Sequence, residues 1–145
     1  MLFRSVADAD QAAWLETLIW PEHDDRRALL REAVAVARAE PATIVAGDLL
    51  EETEALVEQA AAHAPVIVFH TAVIAYLSDA DRERFHALMT GLVARGACHW
   101  VSNEAPRVLP AVTATAPSGP VDGSFVLGID GVARAFAHEI GRAHV

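Results

Sequence analysis

The segment Pro65-Val66-Ile67-Val68-Phe69-His70 constrains this chain most. Its apolar residues occupy both odd and even positions, so both faces of a strand built from it have to be covered, as in the central strands of a parallel sheet. Parallel neighbours cannot be joined by a tight turn and need a crossover of a dozen residues or more. The flanking sequence supplies such crossovers. Residues from about Glu51 to His63 read as a helix ahead of the strand. After it, Ser78 or Asp79 can cap a helix whose stripe is Phe85, Leu88, Met89, Leu92 and Val93, and Gly96 stands where a left-handed C-terminal cap is expected. Ala97 to Ser102 is then a second strand.

Further elements extend this pattern. Asp8-Ala9-Asp10-Gln11 has the form of a capping box, followed by Trp14, Leu15, Leu18 and Ile19 at helical spacing until Pro21. Leu29, Leu30, Ala33, Val34 and Ala37 make the stripe of a second helix that Pro41 stops. Thr43-Ile44-Val45-Ala46, short and β-branched, reads as a buried strand that runs into Gly47-Asp48. The stretch 106–123 is a loop by its Pro and Gly content. Ser124 to Ile129, Asp130-Gly131 and Val132 to Ala137 read as a hairpin with a type I′ turn. Strands alternating with helices and closing in a hairpin predict an α/β fold, a three-layer sheet with an antiparallel edge, in one domain over residues 1–138.

Composition narrows the function classes. Hydrophobic residues make up 53% of the 145, which argues against disorder, yet no apolar run approaches the roughly 20 residues of a membrane span. The start lacks the basic and long apolar regions of a secretory signal, so a cytoplasmic protein away from the membrane is expected. A formal charge of −9 repels phosphate backbones, and the arginines form no basic stripe, which argues against nucleic acid. Cys98 is the only cysteine and lies in an apolar stretch, so a buried, inert thiol is expected and no disulfide can form within the chain. The histidines share no tight ligand spacing, and no metal site is expected.

In open α/β sheets, ligands bind at the carboxyl ends of the parallel strands. Those ends carry Gly47-Asp48, His70-Thr71 and Ser102-Asn103-Glu104. Each polar residue there also has a plain structural reading. Asp48 can cap the helix that follows, His70 can be a structural hydrogen bonder at the end of a buried strand, and Glu104 can be a solvated loop residue. Trp14 and Trp20 are most simply packing residues.

Three stretches together carry a resemblance: Trp14-Leu15 through Trp20-Pro21 with Arg26 or Arg27, then Gly47-Asp48, then Val66 to Val73 through Tyr76-Leu77. In this order and spacing they resemble the second half of the bacterial family named domain of unknown function 2332. Trp100-Val101-Ser102-Asn103-Glu104 is similar to that family's next strand. The family in turn resembles Rossmann-like methyltransferases that use S-adenosylmethionine, whose sheet order is 3-2-1-4-5-7-6. The resemblance implies that the strands at Thr43, Val66 and Ala97 are the third, fourth and fifth, that the hairpin is the sixth and seventh, and that the first two strands, with the cofactor loop, are absent. It places Asp48 beside the cofactor's adenine. His70 and Glu104 become candidate catalytic residues, and Thr71, Tyr76 and Asn103 face a small-molecule substrate.

The resemblance also implies an incomplete domain. S-adenosylmethionine is expected for the complete protein and not for this chain alone, and a non-catalytic binding or scaffold domain is the alternative. The edge bared by the missing strands is a template for dimerisation. Residues 139–145, Glu-Ile-Gly-Arg-Ala-His-Val, break the family pattern after His138 and match a translated sequencing adapter, which marks them as an artefactual tail.

Overall fold

Asp8 opens the first helix as its capping box predicts: the carboxylate accepts from the backbone N–H of Asp10 and Gln11, and the Gln11 side chain donates back to it at 2.8 Å. The structure, a computed structural model, describes residues 5–119 and 123–138. It divides into two compact units, Met1–Ala46 and Gly47–Val145.

The first unit holds α1 (Ala9–Thr17) and α2 (Asp24–Ala39). Arg31 of α2 binds Glu16 of α1 with two nitrogens, and the Arg38 guanidinium donates to the Val6 carbonyl at 2.6 Å. Neither helix has a fully buried residue. The strand expected at Thr43–Ala46 does not form. Ile44 is 81% exposed there. A β-branched run becomes a strand only when a neighbour pairs with it and covers a face, and no described strand does so here.

The second unit runs α3 (Leu49–Ala61), β1 (Ile67–Thr71), a single 3₁₀ turn (Ile74–Tyr76), α4 (Asp79–Ala94), β2 (His99–Glu104), the short α5 (Pro110–Thr113), β3 (Ser124–Ile129) and β4 (Val132–His138). The helix signals hold. Ser78 caps α4 by accepting from the Asp81 N–H, and Gly96, at φ 70°, turns the chain out of it with Ala97 N donating to the Leu92 carbonyl. The hairpin turn is type I′ as expected, with positive φ at both Asp130 (51°) and Gly131 (80°).

The sheet is mixed and four-stranded, in the order β1-β2-β3-β4. β1 and β2 are parallel with Val68 opposite Trp100 and His70 opposite Ser102, while β3 is antiparallel to both β2 and β4. This departs from the order 4-5-7-6 that the resemblance implied, because the first hairpin strand, not the second, pairs with β2. An antiparallel neighbour needs no crossover, so the segment holding α5 can lead β2 straight into β3.

Even-numbered side chains of β1 to β3 face the core, where Trp100, Val126 and Ala133 meet Val57 of α3, Phe85, Met89 and Leu92 of α4, and Val112 of α5. Gly128 permits the closest approach: a Cβ there would lie 2.6 Å from the Ser102 Oγ and 2.8 Å from Val112 Cγ1. On the other face Ile67 is 67% and Phe69 62% exposed. The described residues of this unit therefore make two layers, one of helices and one of sheet, in place of the three expected. Residues 139–145, read as a foreign tail, lie outside the described residues.

Candidate functional site

The carboxyl ends of β1 and β2 lie side by side, with His70 paired to Ser102 and Thr71 to Asn103. On the helix-covered face the Glu104 carboxylate is buried and its Oε1 collects three hydrogen bonds. These come from His70 Nδ1 at 2.8 Å, Val73 N at 3.0 Å and Ile74 N at 3.1 Å. Burial raises the carboxyl's pKa, but the His70 bond and the two backbone N–H groups outweigh it and hold the group below its ordinary value. Glu104 is thus a carboxylate that fastens the turn following β1 to the end of β2.

His70 is held from both sides. Its Nε2 accepts the indole N–H of Trp100 at 2.9 Å, and since an indole can only donate, that nitrogen carries a lone pair. Nδ1 then carries the proton toward Glu104, so the geometry defines a neutral ring in one tautomer. Phe85 meets the imidazole edge to face at 5.3 Å. With both nitrogens engaged, His70 can orient and support, and has none spare to take a proton from a substrate.

The backbone between these residues is unusual. Ala72 has φ 51°, a left-handed conformation that costs a non-glycine residue roughly 1 kcal/mol, and its N–H donates to the Asn103 carbonyl. The twist lets Val73 and Ile74 aim their N–H groups at Glu104. On the opposite face Asn103 Nδ2 donates to Thr71 Oγ1 at 3.1 Å. Two buried acceptors at the end of β2, Asn103 Oδ1 and Glu104 Oε2, have no hydrogen-bond partner among the described residues. Unpaired buried oxygens are costly, and these two lie on opposite faces of the sheet, Glu104 Oε2 on the helix-covered side and Asn103 Oδ1 beside Thr71.

The remaining predicted residues stand apart from this cluster. The Asp48 carboxylate accepts from Leu50 N at 2.8 Å as the N-cap of α3, which is the structural reading of that residue. Tyr76 sits on the 3₁₀ turn and is 89% exposed. A cradle for S-adenosylmethionine requires a glycine turn at the end of a parallel strand. The described glycines of positive φ are Gly96, Gly123 and Gly131, at a helix end, ahead of β3 and in the hairpin turn, and the strand end has Ala72. These residues do not make that cradle.

The chain matches, over residues 4–145, the model of a family described as an uncharacterized protein conserved in bacteria, DUF2332. It belongs to the DUF2332 family. The resemblance read from Trp14, Asp48 and the His70 strand is thereby confirmed at family level. No curated protein and no solved structure is matched.

Sequence reasoning missed how the DUF2332 chain uses Trp100, whose indole N–H completes the His70 network, and it missed a cleft beside it. That cleft, about 380 Å³, lies between the first turns of α4 and the segment entering α5, and is lined by Asp79, Arg82, Glu83, His86 and residues 107–111. One signal was present in the sequence: Asp79, Arg82, Glu83 and His86 recur at helical spacing and form the polar face of α4. No group of three metal-ligating side chains occurs among the described residues, and no described helix is long and apolar enough to cross a membrane.

Proposed function

We propose that this chain forms the substrate side of a methyltransferase-like α/β domain, and that it is inactive by itself. The observation that carries the reading is the unsatisfied acceptor at the end of β2, Asn103 Oδ1, beside Thr71 on the face away from the helices. A substrate bearing an O–H or N–H would supply the missing donor. Thr71 and Asn103 would hold it, while His70, Glu104 and Trp100 keep the two strand ends in register. Transfer of a methyl group needs mainly alignment of donor and acceptor, which is the task such a rigid support serves.

S-adenosylmethionine would be held by strands outside the described residues. Calorimetry of the complete protein with S-adenosylmethionine and with S-adenosylhomocysteine tests this. Binding of either supports the reading, and absence of heat for both sinks it.

A second reading, a non-catalytic binding or scaffold domain, is favoured by the engagement of both His70 nitrogens. It keeps the ligand and drops the chemistry. Ligand binding with no methylated product from any acceptor would select it.

A further inference from the structure

We propose that the cleft between α4 and the segment entering α5 is a separate binding site for a small organic monocarboxylate, anchored by Arg107. The inference does not rest on the strand-end reading. One wall is the polar face of α4, with Asp79, Arg82, Glu83 and His86. The other is the segment from Arg107 to Ala111, in which Val108 and Leu109 are buried and give the cleft an apolar floor. At about 380 Å³ it has the size of a small-molecule site.

The charges of the cleft are unevenly committed. Arg82 is used up locally, paired to Asp79 at 2.9 Å and donating to the carbonyls of Ile74 and Ala75. Elsewhere in this unit Arg84 and Arg95 are in ion pairs, and Arg134 lies in the field of Asp130. Arg107 is exposed and has no hydrogen-bond or ion-pair partner among the described residues. Its planar fork of donors matches a carboxylate in two parallel bonds.

His86 supplies the second feature. Its ring is held edge-on to Trp100 at 5.7 Å, and neither ring nitrogen has a partner among the described residues, which leaves one free to donate into the cleft. Glu83, on the same wall, disfavours a second negative charge and so selects a monoanion over a phosphate ester. The larger hollow at the amino ends of β1 and β2, about 520 Å³, offers no such anchor, because the Asp130 carboxylate is bonded to His99 at 3.0 Å and no arginine among the described residues lines the hollow.

The test is an NMR titration of the full chain with benzoate, and with benzamide as its neutral counterpart of the same shape. Saturable benzoate binding is expected, with shifts at His86 and Arg107 and with benzamide at least about tenfold weaker, the effect of losing one charge-assisted contact. Arg107→Gln should weaken benzoate by about tenfold, and Arg107→Lys by less. Asn103→Ala should leave it unchanged, which separates this site from the strand ends. Equal binding of the two probes, unaltered affinity in Arg107→Gln, shifts confined to other regions, or no saturation at millimolar benzoate would each overturn the proposal.

Discussion

Trp100 and His70, on neighbouring parallel strands, are joined by a single buried hydrogen bond of 2.9 Å from indole Nε1 to imidazole Nε2. This bond sets the imidazole tautomer, and through it the direction of the proton that reaches Glu104. A residue at the carboxyl end of a strand is usually first considered for chemistry. Here the indole removes the one lone pair that a general base would need.

Loss of the Glu104 carboxylate should therefore be felt as instability. Glu104→Ala strands His70 Nδ1 and the N–H groups of Val73 and Ile74, and each buried donor left without its acceptor costs about 1–3 kcal/mol. Trp100→Phe leaves Nε2 buried without its donor, at about 1–3 kcal/mol plus the change in packing. Urea denaturation measures both. A Glu104→Ala variant as stable as the parent would mean that the network is not formed.

The same carboxylate gives a pH dependence. Its folded pKa lies below the ordinary 4.5, so it binds its proton more weakly when folded than when unfolded. Its contribution to stability is complete above the unfolded value and is lost as pH falls through the folded one. The urea midpoint should drop on acidification below about pH 4.5, with a smaller drop in Glu104→Gln. Parallel pH profiles for the two proteins would contradict this assignment.

Much of this fold was legible because its signals are local. The Asp130-Gly131 turn, the Ser78 cap and the Gly96 stop each need only their own backbone geometry, and each is found where the residues place it. Thr43–Ala46 failed for the opposite reason, since a strand is made by its neighbour. The hairpin's place in the sheet depended on long-range pairing and was misread. At the site, the strand ends could be seen from polarity alone, whereas Glu104, read as a candidate acid or a solvated loop residue, pairs with His70 across 34 residues, a contact that position alone does not reveal. The donation from Trp100 and the placing of His86 and Arg107 on the walls of one cleft depend on side-chain directions and long-range packing that spacing does not encode.

Gly128 should resist substitution. A methyl group at this position meets Ser102 Oγ and Val112 Cγ1 inside van der Waals contact, so Gly128→Ala must push α5 off the sheet or rotate both side chains. Overpacking of this kind costs about 1–3 kcal/mol. Thermal denaturation should show a lowered Tm. An unchanged Tm would place α5 further from β3 than described.

Cys98 should be slow to react. It is buried, and that burial, with Asp130 adding to it and Arg95 opposing, raises the thiol's pKa above its usual value. Both effects lower the accessible thiolate. Modification by a disulfide reagent at pH 8 should be slower in the native chain than in denaturant by more than about a hundredfold. A native rate near that of a free thiol would place Cys98 at the surface.

The outer edge of β1 should pair with another strand. Val66 O accepts from His99 N and Ala72 N donates to Asn103 O, so the even-numbered backbone groups of β1 turn toward β2. By alternation the N–H and C=O groups of Ile67, Phe69 and Thr71 turn outward, along a strand that carries neither charge nor proline. Antiparallel pairing of two copies about Phe69 would set Ile67 opposite Thr71 and carry the exposed Ile67 and Phe69 side chains across one joined face. Light scattering should then show a mass that rises with concentration. Phe69→Lys puts a charge beside its own copy at the centre of that pairing and should return the protein to a monomer. A monomer at every concentration, before any substitution, would rule this edge out as a pairing surface.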